Sequence, residues 1–257
     1  MHTEPPVQRE APDGHTEAAR ALLARAARDH APVALASSMS AEDMVLIDLV
    51  ARDRLAIEVF VLDTGRLHPE TQALITRART RYALSIKVYV PDHEALGEFL
   101  SQHGPDAIYD SSQIRKTCCA IRKVAPLRRA LAGRGAWITG LRQGQSVTRA
   151  ALAEEQWDEA NGLFKFSPLA AWSRAQVWSY ISANRVPYNP LYDQGFASIG
   201  CAPCTRAIEP GADQRSGRWW WERPEERECG LHVTDGPMVG NAGQGDETLD
   251  RVPGSRS

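Results

Sequence analysis

Four short apolar segments recur along the chain, and each is followed by a polar turn and then by residues with helical character. The apolar segments are residues 32–36, 57–62, 86–90 and 136–140. Continuous apolar runs of this length, separated by helices, are typical of strands that are buried on both faces. The alternation therefore predicts an α/β fold, with a mostly parallel sheet that is covered by helices on both faces.

The turns after these strands carry the polar side chains from which a ligand site is expected. Ligands of such sheets bind beyond the carboxyl ends of the strands, where residues 37–43, 63–68 and 142–149 lie. The first turn precedes a helix, so its backbone N–H groups could cradle a phosphate. Alternatively, Ser40 caps that helix with Asp43 in the third position. From these residues alone, capping is the favoured interpretation.

The length of 257 residues is sufficient for one large α/β domain with its own core. We expect a single domain over residues 17–232, with a C-terminal arm at about 205–232. The polar residues 1–16 and the Gly-rich residues 233–257 are expected to be disordered.

The charge balance argues against a global nucleic-acid footprint, since 30 basic and 32 acidic side chains leave a formal net charge of −2. No apolar run approaches the roughly 20 residues that a membrane span needs. The first six residues lack the basic and apolar regions of a signal peptide. We therefore expect a cytoplasmic protein that binds neither nucleic acid nor a membrane. The sequence leaves the oligomeric state open, with a homo-oligomer as one option.

Five cysteines form an adjacent pair, a Cys-x-x-Cys pair and one isolated residue. They are Cys118, Cys119, Cys201, Cys204 and Cys229. An odd number without an export signal argues against a disulfide framework. Four thiolates from two segments can complete one site, and adjacent side chains diverge, which favours an iron–sulfur cluster over a single zinc ion. The alternative, a buried thiol pair beside a zinc knuckle or a redox-active Cys-x-x-Cys, is about equally supported by the cysteines alone.

The isolated Cys229 is a candidate nucleophile. His232 could lower the pKa of its thiol or bind an anionic substrate, whereas the neighbouring Glu228 disfavours the thiolate. Arg215 and Arg218 would have to offset that carboxylate. The segment alone does not distinguish a nucleophile from an incidental free cysteine.

Seven segments that lie in collinear order over roughly residues 30–232 carry a family resemblance. They are Ser-Ala-Glu-Asp at 40–43, Leu-Asp-Thr-Gly-Arg-Leu-His-Pro-Glu-Thr at 62–71, Lys-Thr-Cys-Cys-Ala-Ile-Arg-Lys-Val at 116–124, Trp-Ile-Thr-Gly-Leu-Arg at 137–142, Cys-Ala-Pro-Cys-Thr-Arg at 201–206, Arg-Ser-Gly-Arg-Trp-Trp-Trp-Glu at 215–222 and Glu-Cys-Gly-Leu-His at 228–232. Together they resemble the assimilatory adenylyl-sulfate (APS) reductases, the cluster-bearing branch of the phosphoadenylyl-sulfate (PAPS) reductase family. Each segment is weak alone, but the full set is specific.

The resemblance implies an adenine nucleotide α-hydrolase-like fold, related to ATP pyrophosphatases. It implies that Cys229 attacks the sulfate sulfur of APS and expels AMP, leaving an S-sulfo group from which thioredoxin, the reductant, releases sulfite. This would place the enzyme in sulfate assimilation and cysteine biosynthesis. A [4Fe–4S] cluster is also implied, with the ligands Cys118, Cys119, Cys201 and Cys204. Its implied role is to orient Lys123 and not to shuttle electrons.

The same resemblance implies that cations surround the sulfate and phosphate and that the turns after the first two strands contact the nucleotide. The implied substrate residues are Ser37, Asp43, Leu62, Asp63, Gly65, Lys123, Arg149, Arg215, Arg218 and His232. Preorganised cations suit this reaction because the leaving phosphate gains charge in the transition state.

Two positions depart from the family pattern, and three other functions stay open. Ser40 stands where the family commonly has glycine, and Gln143 and Gly144 replace a cation and a carboxylate. Reduction of PAPS is the nearest alternative, although members that use PAPS lack the four extra cysteines. An ATP pyrophosphatase-like enzyme would favour a Ser-Gly-Gly-x-Asp-Ser loop, which residues 37–43 do not supply. A non-catalytic iron–sulfur or zinc protein is the third alternative.

Overall fold

The computed structural model describes residues 14–146 and 149–223, which contain six strands and seven α-helices. The strands are β1 (Val33–Ser37), β2 (Ile57–Leu62), β3 (Ile86–Tyr89), β4 (Ala136–Ile138), β5 (Glu155–Asp158) and β6 (Leu163–Phe166). The helices are α1 (Gly14–Asp29), α2 (Ala41–Arg52), α3 (Pro69–Tyr82), α4 (His93–His103), α5 (Ser112–Cys119), α6 (Ala125–Leu131) and α7 (Arg174–Asn184). No helix among these residues is long and apolar enough to cross a membrane.

The six strands form one sheet in the order β3-β2-β1-β4-β6-β5. Four of the five strand pairs are parallel, and β5 runs antiparallel to β6. This confirms the predicted α/β class with a mostly parallel sheet. The alternation did not predict β5 and β6, because β5 is a polar edge strand and β6 is interrupted by Lys165.

Alternating side chains of the central strands supply two separate cores. Leu35 and Val59 pack with α1, α2, α3 and α7 on one face of the sheet. Ala34, Phe60 and Trp137 pack with α6 on the other face. Because successive side chains of a strand point to opposite faces, an apolar strand requires a helical layer on each side.

The predicted element boundaries agree with the structure to within a few residues. β2 spans the predicted residues, and the other three predicted strands differ by one or two residues at an end. Helix α1 begins at Gly14, so residues 14–16 are helical and do not belong to the predicted disordered extension. Residues 1–13 and 224–257, which include the predicted tail and the end of the predicted arm, lie outside the described residues.

The helical segment from Ser112 to Leu131 is continuous, and its irregularity is a π-helical turn, Ala120–Val124. Pro126 lies in the first turn of α6, directly after that π turn, and the helix continues past it. Proline cannot donate a backbone hydrogen bond within a helix, and its ring clashes with the preceding turn. The wider π turn before Pro126 accommodates both effects. The π turn also directs Arg122 and Lys123 into the protein interior, where both are buried.

Candidate functional site

The strand order creates a crevice at the carboxyl ends of β1 and β4. The chain proceeds outward from β1 to β2 and β3, and then returns to β4 on the other side of β1. Such a topological switch point is where open α/β sheets bind ligands. A cavity of about 230 Å³ lies there, and its walls include Ser37 from β1, Leu62 from β2 and Gly140 after β4.

Seven of the ten predicted substrate residues line this cavity, which we call the switch-point cavity. They are Ser37, Asp43, Leu62, Lys123, Arg149, Arg215 and Arg218. Asp63 and Gly65 form the turn beside it, in which Asp63 Oδ1 accepts from Gly65 N at 2.9 Å and Gly65 has a φ of +68°. His232 and Cys229 lie outside the described residues.

The backbone N–H groups at the start of α2 are occupied by protein side chains. Asp43 Oδ2 accepts from the backbone nitrogens of Ser38, at 2.7 Å, and of Ser40, at 3.3 Å. Ser40 Oγ accepts from Asp43 N, and the hydroxyl of Tyr192 accepts from Ala41 N at 3.1 Å. The predicted capping box is confirmed, and Ser40 at the family's glycine position serves as its cap.

Two glycines let charged side chains pack directly against the backbone at the cavity. A Cβ at Gly140 would lie 2.3 Å from Asp43 Oδ1, and a Cβ at Gly200 would lie 2.4 Å from Arg218 Nη2. Any larger residue would displace those side chains. Burial raises the pKa of Asp43, which the hydrogen bonds from Ser38 oppose.

Trp219 organises the cations of the site. Its ring is fully buried, and the side chains of Arg115 and Arg218 lie 4.5 Å and 4.6 Å from its centroid. Lys123 and Arg215 lie 5.9 Å from the same centroid. Contacts of this kind hold cations by the ring quadrupole. Trp219 thus packs in the core and also gathers the cations.

The four cysteines that were predicted as ligands meet in a second, smaller cavity, which we call the cysteine cavity. It is lined by Cys118, Cys119, Cys201 and Cys204, together with Arg66, Ile108, Arg115, Arg122, Lys123 and Pro203. None of the four cysteines forms a disulfide, and all four are buried. Lys123 and Cys201 line both cavities, so the two sites are adjacent.

Long-range contacts bring the two cysteine segments together. Cys118 and Cys119 end α5, and Cys201 precedes the short 3₁₀ helix Ala202–Cys204. The loop after β2 holds that helix, because Leu67 bridges to Cys201 and Thr64 Oγ1 lies 3.2 Å from Cys201 Sγ. The site therefore depends on residues about 80 and 140 positions apart in the chain, which local patterns do not connect.

The two members of the Cys-x-x-Cys pair have different electrostatic surroundings. Burial raises the pKa of Cys204 to about 12, and the nearby Cys201 adds to the effect. Burial acts on Cys201 in the same direction, but Lys123 and the hydrogen bond with Thr64 outweigh it, so its pKa is lowered. The cations around the cavity thus favour the thiolate of Cys201, whereas burial has the larger effect at Cys204.

Two buried donors beside the cysteines, Arg122 Nε and Trp219 Nε1, have no hydrogen-bond partner within residues 14–146 and 149–223. Leaving such donors unpaired is costly, so a bound acceptor is expected near them. In the same part of the chain, no group of three or more His, Cys, Asp or Glu side chains is arranged to hold a metal ion.

A fully buried ion pair attaches the last described residues to α5. Arg115 Nε donates to Glu222 Oε1 at 2.8 Å, and Arg115 Nη2 donates to Glu222 Oε2 at 2.5 Å. The exposed fractions of the two side chains are 0% and 3%. Nothing in the local sequence indicated this pair, because its members are 107 residues apart.

We expect Glu222→Gln to lower the free energy of unfolding by about 3 kcal/mol, because it leaves the buried Arg115 charge without its anionic partner. Urea denaturation measures this difference. The matched control Glu209→Gln lies on the exposed surface of the same segment and should change the free energy by about 0.5 kcal/mol or less. Equal effects of the two variants would contradict the prediction.

Sequence interpretation also missed Tyr192 and Gln145, which both line the switch-point cavity. Tyr192 reaches α2 from a position 151 residues away from Ala41. A lone tyrosine carries no local signal of such a role. Gln145 was recognised only as part of a polar loop, although its amide has four hydrogen-bond partners among side chains and backbone groups.

Comparison with known proteins agrees with the fold. Residues 32–207 match the phosphoadenosine phosphosulfate reductase domain. Adenosine 5'-phosphosulfate reductase of Allochromatium vinosum is 54% identical, with 84% of each chain covered. The protein of the same name from Burkholderia cepacia is 51% identical, with 88% of this chain and 90% of that one covered.

Two solved structures show the same architecture. The phosphoadenylyl-sulfate reductase of Candida auris, in a phosphate complex, has a TM-score of 0.64 and 27% identity, covering 74% of this chain and 90% of that chain. The FMN adenylyltransferase of Candida glabrata, with FAD and pyrophosphate, has a TM-score of 0.51 and 16% identity, covering 91% and 83%. This likeness confirms the predicted adenine nucleotide α-hydrolase-like fold. Because the family match spans most of the described domain and the relatives are similar over nearly their full length, the chain belongs to the phosphoadenosine phosphosulfate reductase domain family.

Proposed function

We propose that the chain reduces APS to sulfite and AMP, with thioredoxin as reductant and an S-sulfo group on Cys229 as intermediate. The observation that carries the proposal is the adjacency of the two cavities, where Lys123 and Cys201 belong to both. One cavity offers cations at a nucleotide-binding position of the sheet, and the other gathers four thiols. The relatives named adenosine 5'-phosphosulfate reductase support the choice of substrate.

The cations of the switch-point cavity suit a phosphosulfate anhydride. Lys123, Arg149, Arg215 and Arg218 all line it, and Trp219 holds three of them near one ring. When the bond between sulfur and the bridging oxygen breaks, negative charge grows on the phosphate of AMP. Cations held in place before the reaction stabilise that charge without reorganisation.

The covalent step begins with the thiolate of Cys229, whose sulfur forms a bond to the sulfate sulfur of APS. The bond between the sulfate sulfur and the bridging phosphate oxygen breaks, and its electron pair leaves with AMP. A thiolate of thioredoxin then attacks the Cys229 sulfur and expels sulfite, giving a mixed disulfide. The second thiol of thioredoxin resolves this disulfide, so the dithiol is oxidised and Cys229 returns as a thiol.

We propose that Cys118, Cys119, Cys201 and Cys204 hold a [4Fe–4S] cluster. The chemistry of the donors fits this group, because four buried thiols are surrounded by cations, and Arg122 Nε and Trp219 Nε1 offer hydrogens to an acceptor. The sulfurs need not converge on one ion, since each cysteine of a cubane binds a different iron. When bound, the cluster would supply fixed negative charge beside Lys123 and would hold together the two chain segments that carry its cysteine ligands. The cysteines themselves determine how these segments are oriented.

An ATP-dependent reaction of the pyrophosphatase type is less compatible with the described residues. Phosphate-binding loops of that kind use free backbone N–H groups at a helix N-terminus. Here Asp43 and Tyr192 accept hydrogen bonds from those groups at the start of α2.

Sulfite formation with APS, with PAPS and with ATP plus sulfate tests the proposal. With thioredoxin present, we expect APS to be reduced with a kcat/KM at least about tenfold above that for PAPS, because family members that use PAPS lack the four extra cysteines of this chain. No pyrophosphate should form from ATP. A preference for PAPS would overturn the choice of nucleotide, and pyrophosphate release would overturn the reaction class.

A further inference from the structure

Arg149 lines the switch-point cavity from a loop whose other described side chains have different partners. Arg142, only 2% exposed, donates to Glu42 Oε1 at 2.8 Å and to the Trp172 carbonyl at 3.2 Å. Gln143 donates outward to the carbonyl of Leu152. Arg149 is therefore the cation that the described part of this loop presents to a ligand.

Gln145 connects Arg149 to the start of α2. Its Oε1 accepts from Arg149 Nη1 at 2.6 Å and from Arg142 N at 3.2 Å. Its Nε2 donates to Glu42 Oε1 at 3.2 Å. The carboxylate of Glu42 can only accept hydrogen bonds, so the NH₂ group of the Gln145 amide must face it. The amide oxygen of Gln145 therefore faces Arg149.

We propose that Gln145 is a positioning residue for the nucleotide: it holds the Arg149 guanidinium against the cavity, and Glu42 sets the orientation of its amide. The proposal rests on the function proposed above and deepens it. The loop lacks the cation and the carboxylate that the family commonly has at positions 143 and 144. It can still bind the nucleotide through Arg149, because the amide of Gln145 holds that guanidinium in place.

The charged and titratable groups around this amide make a specific test available. They are Glu42, Arg142 and Arg149, with Asp43 and Tyr192 in electrostatic reach of Glu42 and Lys165 in reach of Arg149. In Gln145→Glu, the introduced carboxylate would face the carboxylate of Glu42. Protonation would give it back one donor and one acceptor, the pattern of the original amide.

The measurement is AMP binding by calorimetry, as the ratio of the Gln145→Glu to the wild-type dissociation constant at each pH. We expect this ratio to be about tenfold or more near pH 8 and to fall towards one near pH 5.5, because protonation of the introduced carboxyl restores a donor towards Glu42. Using AMP instead of APS keeps the titration of Cys229 out of the measurement. Gln145→Leu should weaken binding by the same factor at every pH.

Two further variants complete the test. The exchange Glu42→Gln with Gln145→Glu restores one carboxylate and one amide and keeps an acceptor oxygen for Arg142 Nε, so AMP binding near pH 8 should recover part of the loss, even if the single variant folds poorly. Gln143→Glu introduces the same charge on the exposed side of the loop. This control should bind AMP with the same dissociation constant as the wild type.

Each outcome has one meaning. A ratio near one at every pH, or a loss in Gln145→Glu that does not respond to pH and is not rescued by the exchange, would overturn the positioning role. Wild-type protein that does not bind AMP would overturn the nucleotide site, and this inference with it. Recovery at low pH together with rescue by the exchange would support both.

Discussion

The Cys229→Ser variant is expected to form sulfite from APS at least about 1000-fold more slowly than the wild type, because a hydroxyl is a far weaker nucleophile than a thiolate. AMP binding and the visible absorbance of an iron–sulfur cluster should be unchanged, since Cys229 is not among the proposed ligands. Sulfite release is measured with thioredoxin in excess. The variant should also fail to acquire the mass of a sulfo group after incubation with APS.

A conservative change in the same part of the chain controls for general disturbance. Thr234→Ser lies five positions after Cys229 and should retain wild-type activity. If Cys229→Ser also reduced APS at the wild-type rate, then Cys229 would not be the nucleophile. The non-catalytic alternative would gain only if the wild type itself formed no sulfite.

The Cys201→Ser variant is expected to lose both iron and activity, with sulfite formation at least about 100-fold slower than in the wild type. The reason lies in the position of this thiol. Cys201 lines both cavities and lies 3.2 Å from Thr64 Oγ1, so its loss removes a proposed iron ligand and loosens the loop that carries Cys204. Iron content and visible absorbance after anaerobic purification measure the first effect.

The neighbouring Ala202→Ser is the matched control, because it introduces the same hydroxyl one position away and leaves all four thiols in place. It should keep its iron and most of its activity. Unchanged iron in Cys201→Ser would refute the ligand assignment. An iron-free wild type that formed sulfite at full rate would show that the four thiols serve another purpose.

Much of the fold could be predicted because its signals are local. Each central strand is a continuous apolar run, and Ser40 with Asp43 forms a cap within one helical turn. Helix capping and strand burial depend on residues that are close together in the chain, so both can be predicted from a single sequence. The polar edge strand β5 escaped prediction because an edge position requires no apolar pattern.

The sequence also divides the cysteines into groups, since spacing alone separates Cys118 and Cys119 from Cys201 and Cys204. The residue types left open whether these two pairs share one site, which only the family resemblance implied. The structure shows that all four line one cavity and that Lys123 lies between this cavity and the switch-point cavity. The residue types alone identified the basic side chains as candidates for binding an anion. Only the family resemblance implied which of them contact the substrate.

By itself, therefore, the sequence determined the α/β class, the place of the ligand crevice and the candidate chemistry of sulfur and cations. The tertiary structure alone decided that a π turn directs Lys123 inward, that Trp219 gathers the cations, and that Gln145 links Arg149 to α2. The physical reason is range: periodicity and capping arise within a few residues, whereas these contacts join segments that only the packed sheet brings together.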